Sequence, residues 1–519
     1  MKQQSVWTGL RLLFGFVMVC YLTSLVLLSH RAPSASCSKS VAFLSTPITS
    51  TTTNTTTSSD EEQKSLTSIY NDAWWLEDTE ADGWFDQTYI PNTHNNNNAN
   101  FVRNLHKLER KQSKNQKEKA TLQSHFHPIC GHYRFNETLM PKVSVIITTQ
   151  NEVEGWMSIS VHSILARTPP DLLEEIILVD DNGADPAVIR SNLSLAIEHE
   201  FVDLAKLPNV RVIRNEHREG CARSRLVGAR QARGEILYFT DSHIEMISST
   251  WYQHLILPIL ENPKTMSIQY MEVISDSGSK DYYINGDPGH GVLDKSFGFT
   301  WLQQGFTEWK TTSKHGGIMA ETPSNRHYYE TPVGPGALFA MRKDEFWRLG
   351  GYDEGLYVWG SENIELALKT WMCGGRIVFV PCSRSGHMFR VKPNQGKTSH
   401  WPPYLEPSLI RKAGADFHGQ AEGWQRRSAF ARIKERNNLR VLDIWVGNHP
   451  ARDAYYRQQY GTPRDDLPPE WKQYIDELNT DPAALEQKRL KEANQCHDFE
   501  WFDKHVLMKL IGMHHPWHT

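Results

Sequence analysis

The chain has 519 residues and a net charge of −4, with 56 Lys and Arg against 60 Asp and Glu. That balance excludes the global basic field of a nucleic-acid binder, and the length holds one large domain, or two ordinary ones, with tails. Trp is frequent, at 17, which suits sugar-stacking surfaces as well as ordinary core packing.

In chain order, residues 12–28 come first, an uncharged apolar run just long enough to cross a bilayer as a helix. Lys2 and Arg11 precede it while His30 and Arg31 follow, so charge does not set an orientation. A cleaved signal peptide competes, but the run exceeds the usual length of such a segment and reads as an uncleaved anchor. Residues 29–125 are rich in Ser, Thr and Asn with charged runs, too poor in apolar surface to offset ordering entropy, and read as a disordered stem. Asn54, Asn136 and Asn192 head N-glycosylation sequons if this part is lumenal.

From Lys142 strands alternate with helices. Residues 143–149, 176–180 and 210–213 read as strands, and a helix after the first places Met157, Val161, Ile164 and Leu165 on one face. Residues 221–233 predict a helix with Ala222, Leu226 and Ala229 facing inward and Gly234 as its stop. Another strand, 235–240, runs into Asp241-Ser242-His243. This alternation implies an α/β fold, a mostly parallel sheet with helices on both faces. No Gly-x-Gly-x-x-Gly follows the first strand and no Walker A loop is present, which argues against a dinucleotide dehydrogenase or a P-loop NTPase.

Two residues apart on an extended backbone, Asp241 and His243 project to one side. One carboxylate oxygen with one imidazole nitrogen suits a transition metal such as Mn²⁺ better than a pure oxygen cage does. Taken alone, the same residues read first as a turn after a strand. Thr148, Asp181 and Asp241 all fall at strand ends, where open α/β sheets bind ligands. Further on, Ser361 is a plausible N-cap for a helix whose face carries Ile364, Leu368 and Trp371. Gly374-Gly375 ends that helix, residues 376–380 form a strand, and His387 lies shortly beyond it.

Glu175-Ile-Ile-Leu-Val-Asp-Asp181, Arg218-Glu-Gly, Asp241-Ser-His243, Trp359-Gly-Ser-Glu-Asn363 and Val380-Pro-Cys-Ser-Arg-Ser-Gly-His387-Met-Phe-Arg390 occur in this order. Together they resemble the catalytic domain of polypeptide N-acetylgalactosaminyltransferases, over roughly Cys130 to Cys496. The resemblance implies a GT-A (Rossmann-like) fold, a type II Golgi membrane enzyme with a lumenal catalytic domain, and Mn²⁺-dependent transfer from UDP-GalNAc to Ser/Thr of polypeptide acceptors. It further implies that Asp241, His243 and His387 ligate Mn²⁺, and that Thr148, Asp181 and Arg218 hold uridine and ribose. Ser242 would touch the nucleotide, Trp359 and Arg390 would flank the diphosphate, and Glu362 with Asn363 would lie by the transferred sugar. Anomeric configuration would be retained, by same-face substitution rather than by a Glu362 nucleophile.

Of the 7 cysteines, sequence alone fixes no pairing. The resemblance pairs Cys130 with Cys382 and Cys373 with Cys496; Cys20 lies in the anchor and Cys37 in the stem, which leaves Cys221 as a buried thiol. The expected partition is a cytoplasmic tail (1–11), the anchor (12–28), the stem (29–125), the catalytic domain (126–460) and a helical extension (461–519) without the family's lectin domain. Departures fall near the chemistry. Thr149-Gln-Asn-Glu152 differs from the family's Phe/Cys-His-Asn-Glu, Ser361 replaces a glycine, Pro335-Gly336-Ala337 replaces Ala-Gly-Gly, and Val391 begins a different lid. Two other readings stay open: an inverting UDP-hexose or hexosamine transferase with Glu362 as base, and a degenerate lumenal binding protein. Phe299, Trp301 and Trp309 either line an acceptor groove or simply pack.

Overall fold

The computed structural model describes residues 72–76, 128–150, 152, 155–181, 199–274, 282–283, 290–302, 328–388 and 423–516. The expected anchor, most of the stem, Trp309 and Arg390 lie outside the described residues. Among the described residues no helix is long and apolar enough to cross a membrane.

Among the described residues ten strands build the main sheet: β1 (Val143–Thr149), β2 (Leu173–Asp180), β3 (Val210–Arg214), β4 (Ile236–Asp241), β5 (Ile244–Met246), β6 (Thr265–Ile274), β7 (Tyr282–Tyr283), β8 (Tyr329–Glu330), β9 (Phe339–Arg342) and β10 (Arg376–Met388). Their order is β8-β10-β6-β9-β4-β1-β2-β3, with β5 on β10 and β7 on β6. The run β4-β1-β2-β3 is parallel throughout. β9 is inserted antiparallel between β4 and β6, and β6 pairs with β10 in parallel. The sheet is thus mostly parallel, as expected, with antiparallel insertions.

Period-2 alternation explains the layers. Val145 and Ile147 of β1, Ile176 and Leu178 of β2 and Tyr238 of β4 belong to one buried cluster. Their neighbours Ile146, Ile177, Val179, Leu237 and Phe239 belong to another. A sheet apolar on both faces must be covered on both. Helices α1 (Trp156–Arg167) and α3 (Trp251–Glu261) cover the first face, with Met157, Val161, Ile164 and Leu255 buried in it. Helices α2 (Cys221–Gln231) and α4 (Glu362–Met372) cover the second, with Leu226, Ile364 and Leu368. Each such fully buried aliphatic side chain stabilises the fold by roughly 1.5–3 kcal/mol. Helices α5 (Gly423–Val441), α6 (Pro450–Tyr460), α7 (Pro469–Glu477) and α8 (Pro482–Ala493) pack into this second core through Leu439, Tyr455, Trp471 and Ala484.

Three local expectations are corrected. Helix α2 stops at Gln231 with Ala232 extended, so Gly234 is not its stop. Gly234 instead lets the entry to β4 approach β1: a Cβ there would lie 2.6 Å from the Ser144 amide nitrogen, and Gly234 N donates to Ser144 Oγ at 2.8 Å. Ser361 occupies the N-cap position of α4 but makes no side-chain cap bond, because its backbone is left-handed at φ 69°. His387 is not beyond the strand but on it, since β10 continues past a register shift between Val380 and Arg384.

The glycine stop of α4 is as read. Gly374 has φ 84°, and Gly375 N donates to Thr370 O at 2.8 Å. Disulfides Cys130–Cys382 and Cys373–Cys496 are formed and Cys221 is a free thiol. Phe299 and Trp301 stand on the hairpin of His290–Leu293 with Phe299–Leu302. There Trp301 packs 5.4 Å from the Phe379 ring, and both residues lie half-buried against the second core.

Candidate active site

Strand order reverses at β1, with β2 and β3 on one side and β4 on the other. A crevice opens outside the carboxyl ends at such a point. There Thr148 of β1 stands opposite Asp241 of β4 in register. β4 ends at Asp241, the chain bends through Ser242 and His243, and β5 then pairs with β10 so that Ile244 faces His387. The bend and the pairing, rather than simple strand alternation, bring the third residue in. One donor atom from each of Asp241, His243 and His387 lies within 4.8 Å of the others. His387 Nε2 sits 3.2 Å from Asp241 Oδ2, and the two imidazole rings are 4.7 Å apart at their centroids.

The surroundings set the charge states. Burial raises the Asp241 carboxyl, but His387, His243 and Arg225 outweigh it and leave the group well below its ordinary value. Burial holds His387 below the usual imidazole range, despite the opposing bond to Asp241. An anionic carboxylate beside a neutral His387 imidazole suits a divalent cation. Glu152 Oε2 lies 2.7 Å from His243 Nδ1 and accepts from Ser242 Oγ at 2.5 Å. With Nδ1 engaged, Nε2 carries the lone pair that faces the cluster. The donor set, its tautomer and its convergence fit a Mn²⁺ ion.

Arg225, only 2% exposed, donates from Nη2 to Asp241 Oδ1 at 3.3 Å. Burial opposes its charge, but Cys221, Tyr352, Asp241 and Glu362 together raise its pKa. The Cys221 thiol is pushed up to about 12, first by burial, with Glu362, Asp241 and Asp181 adding to the effect against Arg225. Three carboxylates expected at the site are therefore within electrostatic reach of the first turn of α2.

The remaining residues take particular places. Asp181 organises the segment before α2: its carboxylate accepts from Glu219 N at 2.7 Å, Gly220 N at 2.8 Å and Asn215 Nδ2 at 3.0 Å. Arg218 Nε is buried 3.8 Å from it. Ser242 is buried with its hydroxyl donating to Glu152 and its carbonyl accepting from Ser160 Oγ, so the hydroxyl is held by the carboxylate that also contacts His243. Glu362 is buried and accepts from Gly360 N at 2.7 Å, while Asn363 Nδ2 donates to Gly334 O at 3.0 Å. Pro335-Gly336-Ala337 lies against them: a Cβ on Gly336 would be 3.0 Å from Asn363 Cβ and 3.8 Å from Glu362 Oε1. Trp359 is 45% exposed and stacks on Phe430 of α5 at 5.8 Å.

A family model described as glycosyl transferase family 2 matches residues 144–349, and one described as N-terminal domain of galactosyltransferase matches residues 314–393. Human polypeptide N-acetylgalactosaminyltransferase 10 is 33% identical over 396 residues, 75% of this chain and 53% of that protein. Over three quarters of its length the chain is similar to polypeptide N-acetylgalactosaminyltransferases. N-acetylgalactosaminyltransferase 6 of Drosophila melanogaster is 31% identical over 393 residues, 75% of this chain and 48% of that one. The chain thus spans about half the length of these curated relatives. The solved structure of GalNAc-T7 with UDP, GalNAc and Mn²⁺ is 27% identical, covers 75% of this chain and 61% of its own, and aligns with a TM-score of 0.55. That alignment makes the α/β architecture GT-A-like.

Sequence reasoning missed Glu152 and Arg225 as parts of the site. In the sequence Glu152 marks only the end of an altered motif. Arg225 did carry a signal, since it lies beside the inward-facing Ala222, Leu226 and Ala229. A cation so placed needs a buried anion.

Proposed function

We propose that this chain is a Mn²⁺-dependent, retaining transferase that moves GalNAc from UDP-GalNAc to Ser and Thr hydroxyls of secretory polypeptides. The observation that carries the reading is the convergence of Asp241, His243 and His387 at the switch point of the sheet. The names of the relatives, and the UDP, GalNAc and Mn²⁺ bound by GalNAc-T7, support it.

Asp241, His243 and His387 would hold Mn²⁺, which when bound would stabilise the departing diphosphate as a Lewis acid. Arg225 and Glu152 keep the ligands charged and oriented. Asp181 fixes the backbone of Glu219 and Gly220, and with Arg218 and Thr148 it would form the nucleoside side of the site. Trp359 would lie beside the diphosphate, with Arg390 on its other side. The Glu362 carboxylate is held by the Gly360 amide, which suits a group that orients the sugar rather than one that attacks it. In the same-face reaction the acceptor oxygen bonds to the anomeric carbon as the bond to UDP breaks. The acceptor proton passes to the leaving phosphate oxygen. Trapping of a covalent glycosyl–Glu362 adduct would contradict this.

The same reading extends to the cell. Residues 12–28 would anchor a type II Golgi protein with a short cytoplasmic tail at 1–11. Residues 29–125 would form the stem, 126–460 the lumenal catalytic domain, and 461–519 its helical extension.

A donor panel of UDP-GalNAc, UDP-GlcNAc and UDP-galactose, assayed with Mn²⁺ on a Thr-rich peptide, tests the proposal. UDP-GalNAc giving an α-linked product, lost in Asp241→Ala, is expected. A β-linked product, or no turnover of any donor, would refute it. The panel matters because Pro335-Gly336-Ala337 abuts Glu362 and Asn363.

A further inference from the structure

Residues 357–362 form a turn that local preference does not build. Val358, Gly360 and Ser361 have φ of 57°, 109° and 69°, a region only glycine enters without strain. Such a turn persists where its surroundings over-determine it. Here the surroundings are mainly one face of α5.

Asn437 and Asn438 are consecutive, lie inside that helix, and are 0% and 2% exposed. Asn is neither a good helix former nor a core residue, so two together at such positions need a reason. Asn437 Oδ1 accepts from Tyr357 N at 3.1 Å, and its Nδ2 donates to Tyr357 O at 2.8 Å and Gly360 O at 3.1 Å. Asn438 Oδ1 accepts from Ser361 Oγ at 2.5 Å, while its Nδ2 donates to Ser296 O at 3.1 Å and the Tyr455 hydroxyl at 3.2 Å. On the same helix Arg440 pairs with Asp353 at 2.6 Å and Arg436 donates to Gly355 O at 3.1 Å. From the opposite side Cys221 N, at the start of α2, donates to Val358 O at 2.7 Å. The turn is therefore clamped between α5 and α2, and it carries Trp359 and Glu362.

We propose that Asn437 and Asn438 are the positioning residues of this turn, and that Ser361 and Asn438 act as a coupled pair. The hydroxyl bond to Asn438 is what holds a non-glycine residue in the left-handed conformation. The proposal rests on the transferase reading for its effect on turnover, because it acts through Trp359 and Glu362. Without Asn438, Ser361 keeps its backbone strain and loses its acceptor, so the turn relaxes and takes Glu362 with it. A glycine at 361 needs neither the bond nor the acceptor.

The test compares Asn438→Ala, Ser361→Gly and the double variant in the full chain. Hydrogen exchange of peptides covering 355–363 and 236–246 is read beside kcat and KM for UDP-GalNAc with Mn²⁺. Asn438→Ala alone is expected to raise exchange in 355–363 and lower kcat, each roughly tenfold, with KM changed less than about twofold. Exchange in 236–246 stays as in the wild type. In the Ser361→Gly background the same substitution costs less than about threefold. If Asn438→Ala alone yields no folded protein while the double variant folds, the coupling stands. Equal losses in both backgrounds, exchange raised across the whole domain, or a double variant that also fails to fold would overturn it. A wild type that turns over no nucleotide sugar defeats the transferase reading, while the exchange comparison still decides the coupling.

Discussion

Glu152 and His243, 91 residues apart in the chain, meet at 2.7 Å between Oε2 and Nδ1. The contact fixes which imidazole nitrogen is available to a metal, and Ser242, in the bend between Asp241 and His243, donates to the same carboxylate oxygen. Partners of this kind cost about 10–100-fold in metal affinity when removed. Glu152→Ala should therefore weaken Mn²⁺ binding by about that factor, measured by calorimetric titration, without unfolding the chain. Unchanged affinity would show that the bond does not orient His243.

Gly220 is the second test of the site. Its φ is 87°, and a Cβ would sit 2.4 Å from Val358 Cα. Gly220→Ala combines a left-handed penalty of about 1–2 kcal/mol with overpacking of about 1–3 kcal/mol. It should displace the turn that carries Trp359 and abolish turnover. The variant's denaturation midpoint and kcat check this, and wild-type kcat would show that α2 and the turn need not touch.

Much of this was legible in the sequence because the signals are local. β1, β2 and β4 announce themselves by apolar runs, and Asp241 and His243 stand two residues apart. What stayed hidden depends on long-range pairing. His387 read as a residue past a strand, because nothing local shows that β10 runs through its register shift. Ser361 read as a helix cap because Ser is a good one; its left-handed backbone is imposed by Asn438, 77 residues away. The α5 residues that clamp the turn have no signature beyond two buried asparagines in a polar-looking helix.

The disulfides give a third prediction. Cys373, at the end of α4, is tied to Cys496 across 123 residues, and His497 N donates to Met372 O at 2.7 Å. Replacing both cysteines by Ser should cost about 2–5 kcal/mol in a denaturant titration. Non-reducing peptide mapping should recover Cys130–Cys382 and Cys373–Cys496 with Cys221 free. Four free thiols would refute the pairing.

His290 predicts acid sensitivity. Burial pushes its pKa down to about 4, against a bond to the Glu330 backbone. A folded pKa below the unfolded 6.5 means the neutral form is favoured in the fold. That stability is complete above pH 6.5 and is lost as pH falls toward 4, by about 2 kcal/mol at pH 5. His290→Asn should flatten this limb of the urea midpoint against pH. An unchanged limb would place the sensitivity elsewhere.

The central claim is that Asp241, His243 and His387 bind the metal through which a UDP-sugar is held. Calorimetric titration of UDP with and without Mn²⁺, on the wild type and on Asp241→Ala, tests it most directly. UDP should bind the wild type tightly only when Mn²⁺ is present, and bind the variant at least about 100-fold more weakly. Equal binding by the two proteins, or binding by the wild type that persists in EDTA, would contradict the account.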